Sequence, residues 1–300
     1  MIKRTLYFGN PAYLKLKDGQ LCGEISMEGE AKTMSAPVED IGIVVLDNPQ
    51  ITISHGLIQT LQENNACIIT CDARHMPQSL LLPLEGNSIQ QERYDAQLDA
   101  SVPLKKQLWA YTVECKIKNQ QKHLELLNIN ADYLTPLHKN VKSGDSDNTE
   151  ATAAVFYWQK IFDDVEDFVR YREGPAPNHF LNYGYAILRA TVARSIVMAG
   201  LLPTLGIFHR NRYNAFCLAD DLMEPYRPFV DKVVRNMINE FGVCDELKKE
   251  HKAILLKIPA MDVLLDGEKS PLMIATQRTA VSLVKCYTGE QRKILYPEFV

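Results

Sequence analysis

The sequence lacks the paired cysteines from which zinc sites and disulfide frameworks are built. Its 300 residues include seven scattered cysteines, an odd number, and no CxxC pair. Cys67 and Cys71 lie four residues apart, and no second pair completes a zinc site with them. This usage is typical of a reducing compartment, so we expect reduced, mostly buried thiols in a cytoplasmic protein.

Long uncharged apolar segments are also missing. The first ten residues, MIKRTLYFGN, have no apolar core of the kind that a signal peptide needs. The most apolar region, residues 186–208, is interrupted by Arg189 and Arg194, which favours a buried core helix over a membrane span. The sequence contains neither a Walker loop nor a GxGxxG motif, so nothing indicates a nucleotide cofactor.

Positive charge is not in excess either. Lys and Arg number 33 against 37 Asp and Glu, and the formal net charge of −4 argues weakly against a nucleic-acid-binding protein. Carboxylates that bind a metal ion are neutralised by it, however, and one basic face is enough to bind DNA. Candidate basic pairs, each of which could equally be an ordinary solvated pair, are Lys139 with Lys142, Arg170 with Arg172, and Arg210 with Arg212.

The hydrophobic pattern changes near Gly86. Before it, short β-branched segments that alternate with a period of two predict strands, with a hairpin turn at Asp18-Gly19 and one small helix over residues 56–64. With 46% hydrophobic residues the chain can bury a sizeable core. The predicted strands cover residues 5–8, 13–16, 41–46, 51–54 and 66–70.

After Gly86 the period becomes helical. Ser88 can cap a helix that continues through Gln97, and the last helix has a strong start signal, with Ser270 as cap and Pro271 at the first helical position. The other predicted helices cover residues 104–128, 149–169, 182–199 and 222–241, and the last covers 271–287. The expected fold class is therefore α+β, with a small N-terminal β-rich domain (residues 1–86) followed by a larger all-helical domain (residues 87–300).

Two isolated side chains at the edges of apolar runs are candidate ligands for a divalent cation. Glu150 either serves the helix dipole, with Asn148 or Thr149 as cap, or faces the interior of a helix bundle, where a carboxylate needs a metal or another cation. His209 ends an apolar segment. A lone histidine at a helix C-terminus is more often a dipole partner or a surface residue than a ligand.

A cluster of acids provides the third candidate. If Asp220 or Asp221 caps the following helix, then Asp220, Asp221 and Glu224 lie together on its first turn. Such close acids repel one another unless a cation lies among them, although they could simply serve the helix dipole. A glutamate, an imidazole and a second carboxylate suit Mg²⁺ or Mn²⁺, ions that activate phosphodiester chemistry. The sequence therefore predicts a metal-dependent enzyme acting on DNA strands.

Four ordered segments carry a resemblance to a known family. They are residues 178–188 (NHFLNYGYAIL), 199–203 (AGLLP), 205–209 (LGIFH) and 221–228 (DLMEPYRP). Together they closely resemble the CRISPR-associated adaptation integrase, the protein that inserts new spacers into CRISPR arrays, and their spelling is most similar to members from type II systems. The similarity covers essentially the whole chain, because residues 4–8 and 38–42 resemble the β domain of that family.

The resemblance implies that Glu150, His209 and Glu224 are the catalytic residues and hold Mg²⁺ or Mn²⁺. Members of the family vary between aspartate and glutamate at the third ligand. Glu224 is chosen from its place in the Leu-Met-Glu-Pro segment, and Asp220 and Asp221 stay open as acids that share or replace it. The arginines expected to bind the substrate through DNA phosphates are Arg172, Arg210 and Arg227.

The activity implied is integration, in which a 3′-hydroxyl of a captured double-stranded DNA fragment attacks a CRISPR repeat by metal-dependent transesterification. The resemblance also implies a homodimer joined through the β domains. Two such dimers would bridge a dimer of a small second adaptation protein into a heterohexamer. Association with the type II effector nuclease and an accessory adaptation protein, and a cytoplasmic, prokaryotic location without a membrane partner, are implied as well. Two alternatives stay open: a structure-selective, metal-dependent DNA endonuclease, and a non-catalytic DNA-binding scaffold.

Overall fold

The computed structural model describes residues 3–27 and 30–299. It divides into two compact units, Met1–Ser88 and Ile89–Val300. The expected α+β fold class is confirmed, since strands dominate the first unit and helices the second. None of the helices in the described part of the chain combines the length and the hydropathy that a membrane span requires.

The first unit contains two four-stranded sheets and a helix. Its elements are β1 (Arg4–Phe8), β2 (Ala12–Lys17), β3 (Gln20–Met27), β4 (Glu30–Pro37), β5 (Ile41–Leu46), β6 (Ile51–Ile53), α1 (His55–Glu63), β7 (Cys67–Cys71) and β8 (Pro77–Leu81). One sheet has the order β1-β5-β7-β8, with β8 antiparallel to β7 and the other pairs parallel. The other has the order β4-β3-β2-β6, with only β2 and β6 parallel.

The predicted hairpin turn at Asp18-Gly19 is confirmed. It joins β2 to β3, and both of its residues have positive φ, 50° at Asp18 and 72° at Gly19, which suits the twist of a two-residue hairpin. Ser54 caps α1 by accepting a hydrogen bond from the backbone N–H of Leu57. Leu57 is buried in the core of this unit, together with apolar side chains from both sheets such as Leu14 and Val44.

The second unit is largely helical. Its helices are α2 (Gln90–Asp99), α3 (Val102–Leu126), α4 (Leu134–Lys139), α5 (Thr149–Ile161), α6 (Asn178–Met198), α7 (Cys217–Met223), α8 (Arg227–Phe241), α9 (Lys249–Leu255) and α10 (Leu272–Tyr287). An antiparallel hairpin of β9 (Asp262–Leu265) and β10 (Glu268–Pro271) precedes α10. The central helix α6 approaches α8 closely at Gly184, where a Cβ would lie 2.5 Å from Val230 Cγ1.

Several predicted helix boundaries were wrong. α5 ends at Ile161 rather than continuing to Val169, and α6 begins four residues earlier than predicted, at Asn178. Pro177 immediately precedes α6, and a proline is tolerated at a helix start because the first N–H groups have no intrahelical partner. In α10, Pro271 is the N-cap residue and Ser270 belongs to β10, so Ser270 is not the cap.

The helix predicted over residues 222–241 is interrupted. α7 is followed by a 3₁₀ turn over Glu224–Tyr226, and α8 then begins at Arg227. Pro225 has no backbone N–H to continue the α-helical pattern, which favours the tighter turn. Asp220 and Asp221 are therefore not N-caps, because they lie in the last turn of α7.

Candidate metal centre

A stripe of buried polar side chains runs along α3. It consists of Lys116, Asn119, Gln120 and His123. Spacings of three and four residues place these side chains on one face of the helix, and this face lies toward α5 and the Glu224–Tyr226 turn. Asn119 Nδ2 donates to the carbonyl of Pro225 at 2.8 Å and so holds that turn against α3. The stripe brings the positive charge of Lys116 into the interior.

The ammonium of Lys116 lies between two of the predicted ligands. Its Nζ is 2.5 Å from Oε1 of Glu150 and 2.5 Å from Oε2 of Glu224. The side chains of Lys116 and Glu224 are buried, and that of Glu150 is 26% exposed. Burial lowers the pKa of Lys116, but the charges of Glu224 and Glu150 outweigh this effect, and the net shift is upward. The lysine is therefore charged at neutral pH.

Glu224 is a buried carboxylate that stays ionised. Burial opposes its ionisation, but the charges of Arg227 and Lys116 outweigh burial and lower its pKa to about 2. Arg227 Nε donates to Oε1 at 2.8 Å. Oε2 is in ion-pair contact with Lys116, 2.5 Å from its Nζ. Both carboxylate oxygens of Glu224 thus contact a cationic side chain.

Glu150 occupies the first turn of α5, but its carboxylate is not the cap. Asp145 accepts hydrogen bonds from the backbone N–H groups of Thr149 (2.8 Å) and Glu150 (3.0 Å). The side chain of Asn148, the N-cap residue, makes no capping hydrogen bond. Capping by Asn148 or Thr149 is therefore contradicted. Because Asp145 satisfies these N–H groups, the side chain of Glu150 is available to face Lys116.

His209 lies in the irregular segment between α6 and α7, not at the end of a helix. Asp221, which is fully buried, holds it in place. One oxygen of Asp221 accepts from the backbone N–H of Phe208 at 2.9 Å. The other accepts from the backbone N–H of His209 at 3.2 Å and lies 2.5 Å from its Nδ1. A single carboxylate therefore sets both the backbone and the ring of His209.

Three carboxylates raise the pKa of this imidazole. The hydrogen bond to Asp221 raises the pKa of His209, burial opposes the rise, and the charges of Asp221, Glu224 and Glu150 add to it. Burial raises the pKa of Asp221, while its hydrogen bonds from His209 and Phe208 act in the opposite direction. The charges of both glutamates thus favour protonation of His209, and the contacts in the structure bring Glu150 and Glu224 together on Lys116.

Aromatic packing and a glycine complete the support of His209. The ring of Phe208 stacks on buried Trp109 with centroids 4.4 Å apart, and the ring of His209 meets Trp109 edge-on at 5.5 Å. A Cβ on Gly206 would lie 2.5 Å from the carbonyl oxygen of His209 and 2.7 Å from Oδ2 of Asp221. The segment can therefore close around Asp221 only with glycine at position 206.

The predicted acid cluster is divided among different partners. Asp220 binds Arg189 through Oδ1 (2.7 Å) and Asn214 through Oδ2 (2.7 Å). Asp221 engages His209, so of the three acids Glu224 is the one that faces Lys116 and Glu150. The expectation that these acids share one side of a first helical turn was wrong, because Asp220 and Asp221 lie inside α7 and Glu224 begins the 3₁₀ turn that follows it.

The predicted arginines are not all in one place. Arg227 contacts Glu224 directly, and its guanidinium lies 4.8 Å from the ring centroid of Tyr185. Arg172 and Arg210 are exposed. Burial, and after it the charge of Arg210, lowers the pKa of Lys105.

The donor chemistry fits a hard divalent ion. The residues that the structure describes contain no three His, Cys, Asp or Glu side chains already converged on one point, and the ammonium of Lys116 lies between the two glutamates. Two carboxylates and an imidazole are nevertheless a suitable ligand set, and a carboxylate on the second ring nitrogen orients a metal-binding histidine. The buried Oε2 of Glu224 already faces a cation, the ammonium of Lys116.

Sequence comparison places this chain in a family. The model of the family described as CRISPR associated protein Cas1 matches residues 6–266. The chain belongs to the Cas1 family. It is 35% identical over 297 residues to the CRISPR-associated endonuclease Cas1 of Neisseria meningitidis serogroup C (strain 8013), with 98% of this chain and 95% of that protein covered. A Cas1 endonuclease of Pyrobaculum aerophilum is 28% identical, with 88% of this chain and 93% of that protein covered.

Solved structures share the fold. A casposase bound to integration product superposes with a TM-score of 0.81 at 21% identity, over 98% of this chain and 92% of that one. A Cas1 protein from Thermotoga maritima gives a TM-score of 0.75 at 20% identity, over 96% and 98% of the two chains. A chain of a Cas6-RT-Cas1–Cas2 complex gives 0.72 at 16% identity, over 97% of this chain and 36% of that one.

Proposed function

We propose that this Cas1-family protein is a spacer-acquisition integrase. It joins the 3′-hydroxyl ends of captured double-stranded DNA fragments to the CRISPR repeat. The observation that carries the proposal is the pair of glutamates, Glu150 and Glu224, that face each other across Lys116, with the charges of both acting on the ring of His209. The proposal is also supported by the name of the Neisseria relative, an endonuclease, and by the fold shared with a casposase bound to integration product.

The ion in this proposal is Mg²⁺ or Mn²⁺, held by Glu150, His209 and Glu224. When bound, it supplies polarisation of the scissile phosphate and stabilisation of the departing oxygen. Asp221 engages Nδ1 of His209, so Nε2 is the ring nitrogen left to bind an ion. Arg227 holds Oε1 of Glu224, which orients the carboxylate and keeps it ionised.

The proposed reaction is a transesterification. The 3′-oxygen of the captured fragment forms a bond to a phosphorus of the repeat, the bond from that phosphorus to the 3′-oxygen of the repeat strand breaks, and the attacking hydroxyl loses its proton to solvent. One phosphodiester replaces another, so no nucleotide cofactor is consumed. Arg172 and Arg210 are exposed cations that would contact DNA phosphates, which gives affinity without sequence information.

We also propose the assembly that the family suggests. The β-rich unit would join two copies into a homodimer, and two dimers would bridge a dimer of the small second adaptation protein. The presence of Cas2 in the solved Cas6-RT-Cas1–Cas2 complex supports this partner. The effector nuclease and accessory adaptation protein of type II systems are further proposed partners.

A strand-transfer assay tests the proposed function. A short duplex with 3′-hydroxyl ends is incubated with supercoiled repeat-containing plasmid and Mn²⁺, with and without the small second adaptation protein. We expect covalent joining by the wild type and by neither His209→Ala nor Glu224→Ala. Plasmid nicking without joining would indicate that the protein is an endonuclease and not an integrase. The absence of metal-dependent chemistry under all conditions would leave a DNA-binding scaffold.

A further inference from the structure

Lys116 is a cation on the buried face of α3 that the proposed chemistry does not use. It is 7% exposed, and its Nζ lies within 2.5 Å of one oxygen from each glutamate. These are the two carboxylates assigned to the metal ion. An ion that binds both glutamates must therefore enter the space that the ammonium occupies.

Electrostatics explains why a cation is needed there in the protein alone. Two carboxylates facing each other in a low-dielectric site repel, and a cation between them allows both to stay ionised. The ammonium provides a single positive charge, whereas a divalent ion provides two and binds more donor atoms. The ammonium and the ion cannot occupy the same position, and they would repel each other at neighbouring positions.

The structure also contains a cavity that the displaced ammonium can enter. The cavity, of about 130 Å³, adjoins Glu224, and Lys116, Gln120 and Asp231 are among the other residues that line it. Gln120 lies one helical turn along α3 from Lys116, is 2% exposed, and its Oε1 accepts no hydrogen bond from the described residues. A buried amide oxygen without a donor is an unfavourable arrangement that the lysine ammonium can correct.

We propose that Lys116 is an internal competitor of the metal ion. In the ion-free protein its ammonium holds the position between Glu150 and Glu224, and on ion binding it turns toward Gln120. The inference rests on the proposed metal site and adds a residue that sets the ion affinity. Lys116 thereby keeps the empty site charge-balanced and weakens ion binding.

Calorimetry of Mn²⁺ binding to the purified full-length chain tests this inference. Lys116→Gln and Lys116→Met are compared with the wild type and with Lys118→Met, a control on the same helix whose exposed side chain pairs with Glu298 at 2.8 Å. We expect both Lys116 variants to bind Mn²⁺ at least about 10-fold more tightly, equivalent to about 1.4 kcal/mol, and the control to match the wild type. If Lys116 had only a structural role, its replacement would weaken Mn²⁺ binding, because the loss of the lysine would disorder the ligands.

Thermal unfolding with and without Mn²⁺ gives a second measurement of ion binding. It remains informative if the Lys116 variants are less stable than the wild type. We expect the Lys116 variants to unfold at lower temperature than the wild type without ion, and to gain more from saturating Mn²⁺. Unchanged or weaker Mn²⁺ binding by the variants, while the wild type binds, would overturn the role of Lys116 alone. Absence of Mn²⁺ binding in every protein would overturn both this role and the proposed metal site.

Discussion

Glu150 and Glu224 stand at the start of a helix and in a 3₁₀ turn between helices, whereas His209 stands in an irregular segment. The glutamates face a buried ammonium and an arginine, and the balance of these charges keeps Glu224 ionised. The histidine ring is 42% exposed and depends on one buried carboxylate, Asp221. The helical part of the site is thus held by packing and ion pairs, and the irregular part by a few hydrogen bonds.

This difference indicates which changes should matter most. In the irregular segment one substitution can remove several restraints together, because Asp221 accepts bonds from two backbone N–H groups and the imidazole. In the helical part Lys116 contacts both carboxylates, and Arg227 gives Glu224 a second support. Among residues that are not themselves ligands, we therefore expect the sharpest losses of ion binding from those that hold His209.

Among substitutions of residues that are not ligands, Asp221→Asn is expected to have the largest effect. The amide has one acceptor oxygen instead of two, so at least one buried N–H donor loses its partner. We expect a fall in Mn²⁺ affinity of about 10- to 100-fold and a loss of unfolding free energy of about 1–3 kcal/mol. Calorimetry and urea denaturation measure the two quantities. The matched control is Asp164→Asn, whose half-exposed carboxylate pairs with Arg235, and equal losses of Mn²⁺ affinity in both variants would contradict the account.

Gly206→Ala should disturb the same segment from the backbone side. The added methyl meets the carbonyl of His209 and the carboxylate of Asp221 at distances that force one of them to move. We expect a destabilisation of about 1–3 kcal/mol together with weaker strand transfer. Gly56→Ala in α1 is the control, since a Cβ there meets nothing within 4 Å. Normal strand transfer by Gly206→Ala would show that the segment does not need this close approach.

The stability of the helical unit should depend on pH through His123. Burial, with smaller contributions from Lys232 and Arg235, lowers its pKa to about 3. The unfolded chain titrates near 6.5, so below that pH the unfolded state binds the extra proton and stability falls by up to about 1.4 kcal/mol per pH unit. Stability is retained above pH 6.5. Urea denaturation at pH 7.5 and 5.5 measures the loss.

His123→Gln is the control for this pH effect, because it removes the titrating ring from the contact with Tyr157. Asp231, whose pKa burial raises to about 6, contributes with the opposite sign, losing stability as pH rises from 3.8 to 6. The wild type and His123→Gln both carry Asp231. Its contribution therefore cancels to first approximation when the pH dependence of stability in the variant is subtracted from that in the wild type. An identical pH dependence in the two proteins would contradict a neutral buried His123.

The smallest effect is expected at the exposed arginines. Arg210→Ala should reduce DNA affinity by less than about tenfold and lower the slope of log affinity against log salt by about one unit, the value for one phosphate contact. Filter binding at several salt concentrations measures this slope. Lys122→Ala, which removes an exposed cation already paired with Glu125, should leave the slope unchanged. An unchanged slope for Arg210→Ala would exclude that phosphate contact.

Some of the site could be read from the sequence and some could not. The sequence indicates Glu150, His209 and Glu224 because an acid or a histidine stands at the edge of each of three apolar runs, and His209 and Glu224 also lie in family-like segments. The partner of His209 was missed because Asp220 and Asp221 are adjacent and equivalent in sequence. Only the position of α7 decides that Asp221 points at His209 while Asp220 points at Arg189.

Lys116 was missed for a different physical reason. In a long amphipathic helix a lysine is normally assigned to the solvated face, and α3 contains several such lysines. A signal was nevertheless present, because Lys116, Asn119, Gln120 and His123 repeat at the spacing of one helical face. The strands missed in the first unit, β3, β4 and β8, carry many polar residues, so their pairing depends on neighbouring strands rather than on an apolar pattern.

The central claim is that Glu150, His209 and Glu224 together hold one divalent ion. Calorimetric titration of Mn²⁺ into the wild type and into Glu150→Ala, His209→Ala and Glu224→Ala tests it most directly. The account predicts one ion per chain in the wild type and loss of this binding in each variant, with the fold retained by circular dichroism. Undiminished Mn²⁺ binding by folded His209→Ala or Glu224→Ala would contradict it.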